Sequence, residues 1–212
     1  MTEGQEIPVG AEIPLGPPQK CTLGIEPVFV GLDLSLTGTG FSLKWPNSVV
    51  IETIKTVPKN FPNDLARLGH IRDELLQRIP RWVRMICIED FFTPQNAHQI
   101  GAAISLAMLG TAVRLALYEL HLPFVIVAPS QIKKFVTGKG TGQKSIVVRE
   151  VFKRWGIDAK DDNQADAATL AYLAEALIEG VKEETPKFQM EVIKTVRKDR
   201  PRYNVAESWV QE

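Results

Sequence analysis

Three stretches of this 212-residue chain carry acids where acids are costly. In VFVGLDLSLTGTGFSL, residues 28–43, Asp33 interrupts what otherwise reads as a fully buried strand. In RMICIEDFF, Glu89 follows four residues that read as buried. In DAKDDNQADAATLAYLAEAL, Asp162 and Asp166 stand four apart, so both can project from one side of a helix. A carboxylate buried alone pushes its pKa up or costs several kcal/mol. Carboxylates that converge repel one another unless a divalent cation lies between them. Magnesium takes oxygen ligands and keeps several waters, so two or three carboxylates around an open cavity suffice to hold it. The plainer account of each acid alone is a strand end that reaches solvent. Capping at a helix N-terminus likewise explains Asp161 and Asp162 well. It explains Asp166 less well, because QA and AATLA flank that acid in an apolar packing layer.

Such acids need elements to bring them together, and the periodicity gives an order. Residues 27–34, 40–44 and 48–54 read as three strands joined by short Thr-Gly and Pro-Asn turns, the spacing of an antiparallel meander. Residues 63–78 read as an amphipathic helix with Leu65, Leu68, Ile71, Leu75 and Ile79 on one side, stopped by Pro80. A strand over 84–89, a helix over 95–120 and a strand over 124–127 follow, then helices over 130–136, 144–155 and 163–179. The order predicts an α/β domain over 27–180, with a mixed five-stranded sheet, three antiparallel strands then two parallel, flanked by helices. Residues 1–26 read as a flexible leader. Residues 181–212 read as a basic extension carrying Lys187, Lys194, Arg197, Lys198, Arg200 and Arg202. A solvated tail is the favoured reading there, ahead of an arm lying on phosphates.

Charge is balanced, with 25 Lys plus Arg against 25 Asp plus Glu, so a nucleic-acid partner must be met by a local patch. One exists: Lys133, Lys134, Lys139, Lys144, Arg149, Lys153 and Arg154 are opposed only by Glu150, and Gly138, Gly140 and Gly142 let backbone approach a phosphate. A solvated helix face accounts well for Lys153 and Arg154. The two cysteines, Cys21 and Cys87, lack metal-ligand spacing and fit a reducing compartment. The absence of a basic segment followed by an apolar run near Met1 leads to the expectation of an intracellular, cytoplasmic protein. Residues 100–117 are apolar over nearly a bilayer's thickness, but Arg114 argues against a membrane, and the small residues there suit packing on a sheet or a twin helix.

GLDLSLTGTGFSL, ICIEDFF, KKFVTGKGTGQKSIVVREVF and NQADAATLAYLA occur in that order within 29–177, and together they resemble the RuvC-type Holliday junction resolvases of the ribonuclease H-like superfamily. The resemblance implies a ribonuclease H-like nuclease that cuts four-way junctions by paired symmetric nicks. It also implies two magnesium ions per site, with manganese able to substitute, and in-line attack by water to leave a 5′-phosphate and a 3′-hydroxyl. Asp33 matches the acid that bridges both ions, Glu89 the second strand acid, and Asp166 the acid of the helical ADA signature. Relatives place an acid or His three residues before that last Asp, where this chain has Asn163. The fourth role therefore passes to Asp162, directly or through water, with Asn163 as an alternative, weaker ligand. On the DNA side the resemblance puts Lys139 and Lys144 nearest the cleaved strand, and the charge pattern adds Lys133, Lys134 and Arg149 of the same basic patch as phosphate contacts. Phe92 matches a residue that stacks on an opened base, which leaves Phe91 for core packing. Two symmetric cuts imply a homodimer, with the helix over 97–117 as the interface element. No element for docking a branch-migration motor is evident.

Two other classes compete. DLSLTGTG is also similar to the phosphate turn of sugar-kinase and actin-like ATPases, which need two such lobes to enclose ATP. GKGTGQKS is similar to a phosphate-cradling loop, yet Gln143 stands where the second Gly is required and no strand leads into it. A junction-binding protein without catalysis is the third reading, kept open by Asn163.

Overall fold

A computed structural model describes residues 26–91, 97–141, 143–180 and 184–205. Strands β1 (Val28–Asp33), β2 (Gly38–Trp45) and β3 (Ser48–Lys55) form the meander, and β4 (Val83–Glu89) joins β1 in parallel. Strand β5 (Phe124–Val127) runs parallel to β4, β6 (Arg202–Tyr203) runs antiparallel to β5, and the sheet order is β3-β2-β1-β4-β5-β6. The helices are α1 (Asp64–Arg78), α2 (Ala97–Glu119), α3 (Pro129–Thr137), α4 (Lys144–Trp155), α5 (Asp162–Glu179) and α6 (Lys187–Asp199).

Helices cover both faces of the sheet, which is why its central strands read as unbroken apolar runs. On one face Val30, Leu32, Ile86, Ile88 and Ile126 pack against Ile71 and Leu75 of α1 and Leu109, Val113 and Leu117 of α2. On the other, Phe29, Met85, Cys87, Val125 and Val127 lie beneath Ile132 of α3, Leu170 and Leu173 of α5, and Val192 and Val196 of α6. Each such fully buried aliphatic or aromatic side chain contributes about 1.5–3 kcal/mol relative to exposure.

Three features depart from the sequence reading. The sheet has a sixth strand, β6 (Arg202–Tyr203), antiparallel to β5. The solvated tail expected beyond 180 is instead, over 187–203, a helix and strand packed on the domain. Gln189, Val192, Ile193 and Val196 recur at i, i+3, i+4 and i+7 and are buried, while Lys187, Lys194, Arg197 and Lys198 around them mask this stripe in a composition-based reading. In α1, Leu65 is exposed and Arg67 takes a buried place. The Arg67 guanidinium donates to the Leu36 carbonyl and to Thr56 Oγ1 (2.9 Å), tying α1 to the turn after β1.

Helix α2 is long and apolar enough, by length and composition, to cross a membrane. Its inner residues Leu109, Val113 and Leu117 are fully buried on the sheet and Arg114 is ion-paired to Asp90, so it is a covering helix of the core. Its outer face exposes Ile100, Ile104, Met108, Leu115 and Tyr118.

Candidate metal centre

Alternation along the strands aims the two strand acids at the same helix. Phe29, Gly31 and Asp33 of β1 share a face with Met85, Cys87 and Glu89 of β4, and that is the face α5 covers. Asp33 ends β1 opposite Gly40 of β2 and is 7% exposed.

Helix α5 reaches the acids through glycine. A Cβ placed on Gly31 would fall 1.9 Å from the Ala167 carbonyl oxygen, and one on Gly40 would fall 2.1 Å from that of Asn163. Only residues without a Cβ permit this approach, which sets Asp166 above the ends of β1 and β4. The helix start is fixed as well. Asp161 caps it by accepting from the Gln164 amide (2.8 Å), and Thr53 Oγ1 donates to the second Asp161 oxygen (3.0 Å). Gln164 Nε2 in turn donates to Thr53 Oγ1 (3.1 Å), tying α5 to β3.

Asp33, Glu89 and Asp166 each offer a carboxylate oxygen, and these atoms all lie within 4.8 Å of one another. Each ionised pair at that spacing repels by about 3 kcal/mol at an effective dielectric constant of about 20. An all-oxygen donor set of this charge fits a hard divalent cation, which converts the repulsion into coordination. Asp33, Glu89, Asp90, Phe91 and Pro129 line a cleft of about 170 Å³ open to solvent, leaving room for water and substrate oxygens.

Asp162 occupies the first helical position of α5, one turn before Asp166, and stands outside the group of three. Asn163 presses its carbonyl on Gly40, while its side-chain amide lies over Gly38, 3.2 Å from a Cβ placed there. The turn after Asp33 is held by its own hydroxyls: Thr39 Oγ1 donates to the Ser35 carbonyl (2.6 Å) and accepts from the Ser35 amide (3.2 Å).

The opposite wall was not legible as a site. The Asp90 amide donates to the Val127 carbonyl (2.8 Å), and its carboxylate accepts from Arg114 of α2 and Arg200 of the segment after α6. The Phe91 ring fills the space beside Gly110, where a Cβ would sit 2.2 Å from it, and the Arg114 guanidinium lies 4.1 Å over that ring. Burial pushes the Arg114 pKa down, and the Asp90 charge opposes that shift. An arginine inside an apolar helix was the one sequence signal that a carboxylate must face it.

In the basic patch, Lys133 and Lys134 ride on α3, which ends at Gly138 with φ 82°. Lys134 pairs with Glu191 of α6 at 2.8 Å, holding that carboxyl below its ordinary range. Lys139 and Arg149 are exposed, the latter 3.5 Å from Glu150. Arg154 is no solvated side chain: it donates to the Val136 carbonyl and lies 5.1 Å over the Phe188 ring. Lys144 opens α4, but its side chain, like Phe92 and Gly142, lies outside the described residues.

The sheet order, the covering helices and the acids at the ends of β1 and β4 define a ribonuclease H-like α/β domain with a candidate divalent-cation centre. The chain belongs to the RuvC family, whose model, described as Crossover junction endodeoxyribonuclease RuvC, matches residues 29–174. Crossover junction endodeoxyribonucleases RuvC from two strains of Treponema pallidum, one of them strain Nichols, are each 30% identical over 157 residues, covering 68% of this chain and 75% of theirs. Among solved structures, T. thermophilus RuvC in complex with Holliday junction substrate aligns with a TM-score of 0.58 at 21% identity, over 74% of this chain and 98% of that one. A second Thermus thermophilus RuvC structure gives 0.52 at 24% identity, over 73% and 98%. At those identities the superpositions speak for the fold.

Proposed function

We propose that this protein is a structure-selective endonuclease that resolves four-way DNA junctions by paired symmetric nicks. The observation that carries the reading is the convergence of Asp33, Glu89 and Asp166 within 4.8 Å of one another, with Asp33 and Glu89 lining a solvent-open cleft. Two magnesium ions, replaceable by manganese, are the group these residues would hold, and they supply polarisation of the phosphodiester and activation of water, with a 5′-phosphate product. Asp33, the most buried of the three, would serve both ions, Glu89 and Asp166 would complete the carboxylate set, and Asp162 would act as fourth ligand directly or through water. Lys133, Lys134, Lys139, Lys144 and Arg149 meet the phosphates, giving salt-dependent and sequence-independent affinity. Phe92 stacks on a base opened at the crossover.

Two cuts on symmetry-related strands require two sites held at a fixed separation, so the protein acts as a homodimer. The exposed row Ile100, Ile104, Met108, Leu115 on α2 supports this, because a second copy of the same row would bury it. Such a substrate is met inside the cell, in the cytoplasm.

A synthetic four-way junction with magnesium tests the reading. Symmetric nicks by the wild type, lost in Asp33→Asn while junction binding persists, are expected. Binding without cutting would replace the reading with that of a non-catalytic junction binder, and ATP turnover without DNA would replace it with a kinase-like lobe.

A further inference from the structure

We propose that Arg200 is a positioning residue for the metal centre, acting through Asp90 on the strand end that carries Glu89; the inference rests on the nuclease reading above. Asp90 directly follows Glu89 and lines the same cleft. Its carboxylate accepts from two guanidiniums, Arg114 and Arg200, and also from the Phe91 amide (3.0 Å). Arg200 reaches further: its Nε donates to the Ile126 carbonyl (2.9 Å), and the next carbonyl, that of Pro201, accepts from the Ile126 amide (2.9 Å). The neighbouring Val127 carbonyl receives the Asp90 amide (2.8 Å). The 200–201 segment thus straps β5 and the residue after Glu89 into one unit.

Charge-assisted bonds to a planar fork fix direction as well as distance, which an ammonium does not. Asp90 and Arg200 are both largely shielded, with side chains 32% and 20% exposed, so solvent competes weakly for the pair. The segment lies beyond the 29–174 match to the RuvC family model, so it braces the Asp90 wall of the cleft from outside the matched core. Without it the Glu89–Phe91 turn retains the Asp90–Val127 bond and a single guanidinium. A displacement of about 1 Å at a reacting centre costs about a hundredfold in rate.

The test compares Arg200→Gln, Asp90→Asn and the double variant. Single-turnover junction cleavage is expected to fall about tenfold or more in each single variant, while junction Kd without added metal stays within about threefold. Because the two residues act through each other, the double variant should be no slower than the slower single one. Amide hydrogen exchange at Asp90 and Phe91 should accelerate in Arg200→Gln with α5 unchanged. Arg200→Lys should fall between wild type and Arg200→Gln, and it replaces the glutamine variant should that one unfold. Wild-type cleavage and wild-type exchange in Arg200→Gln, or multiplicative losses in the double variant, would overturn the proposal. Exchange needs no cutting, so a wild type that cuts no junction sinks the nuclease reading and still leaves the brace to be judged.

Discussion

Gly31 of β1 and Ala167 of α5 meet backbone to backbone, so close that a Cβ on Gly31 would lie 1.9 Å from the Ala167 oxygen and 2.6 Å from the Ala171 nitrogen. This contact sets how near the helix bearing Asp166 comes to the strand bearing Asp33. Gly31→Ala must push the two apart. Overpacking of this kind costs about 1–3 kcal/mol, and here it acts on main chain that has no rotamer to yield. Urea unfolding should show the loss, and junction cleavage should fall with it; an unchanged midpoint contradicts the contact.

Removing one charge from the acid cluster should help the metal-free protein. Asp166→Asn is expected to raise the melting temperature in EDTA, by an amount corresponding to about 1 kcal/mol or more, because like charges oppose each other there. Magnesium should then stabilise the wild type, by about 2.7 kcal/mol at a hundred times its Kd, and the variant far less. Equal magnesium shifts in both would remove Asp166 from the site.

The fourth ligand is decided by a pair of substitutions. Asp162→Asn should slow cleavage more than Asn163→Ala, since Asn163 is turned toward Gly38 while Asp162 retains a carboxylate one helical turn from Asp166. The reverse ranking in single-turnover assays assigns the role to Asn163.

Ile104→Asp should convert dimer to monomer in sedimentation. The side chain is 55% exposed in the single chain, so the change leaves the folded monomer intact while placing two like charges across the proposed interface. A dimer that survives with unchanged affinity locates the interface elsewhere.

Cys87 is fully buried in β4, two residues before Glu89, and burial pushes its thiol well above the ordinary range. It stays protonated and inert. Alkylation at about pH 8 should leave the Cys87 peptide unmodified in the native protein and label it in denaturant. Native labelling at a rate comparable to a free thiol would mean that β4 opens readily.

The succession of elements along the chain, the first five strands, the burial of the central ones and the acids at their ends were legible in the sequence, because hydrophobic periodicity and isolated acids in apolar runs are local signals. Leu65 and Arg67 were not: helical periodicity favours the leucine inward, and tertiary partners, the Leu36 carbonyl and Thr56 Oγ1, draw the arginine in instead. Helix α6 was masked by its own lysines and arginines, which surround a short buried stripe. Asp90 was hidden by standing beside Glu89, and its partners lie 24 and 110 positions away, a distance no pattern spans.

The 110-position separation of Asp90 from Arg200 also has a meaning in time. A ribosome adding about 5–20 residues per second needs about 5–20 seconds to cover it. For that interval the nascent polypeptide already contains Asp33 and Glu89 but not the residue that closes the turn beside them. Synthesis itself therefore delays the finished cleft until β5 has received its last neighbour.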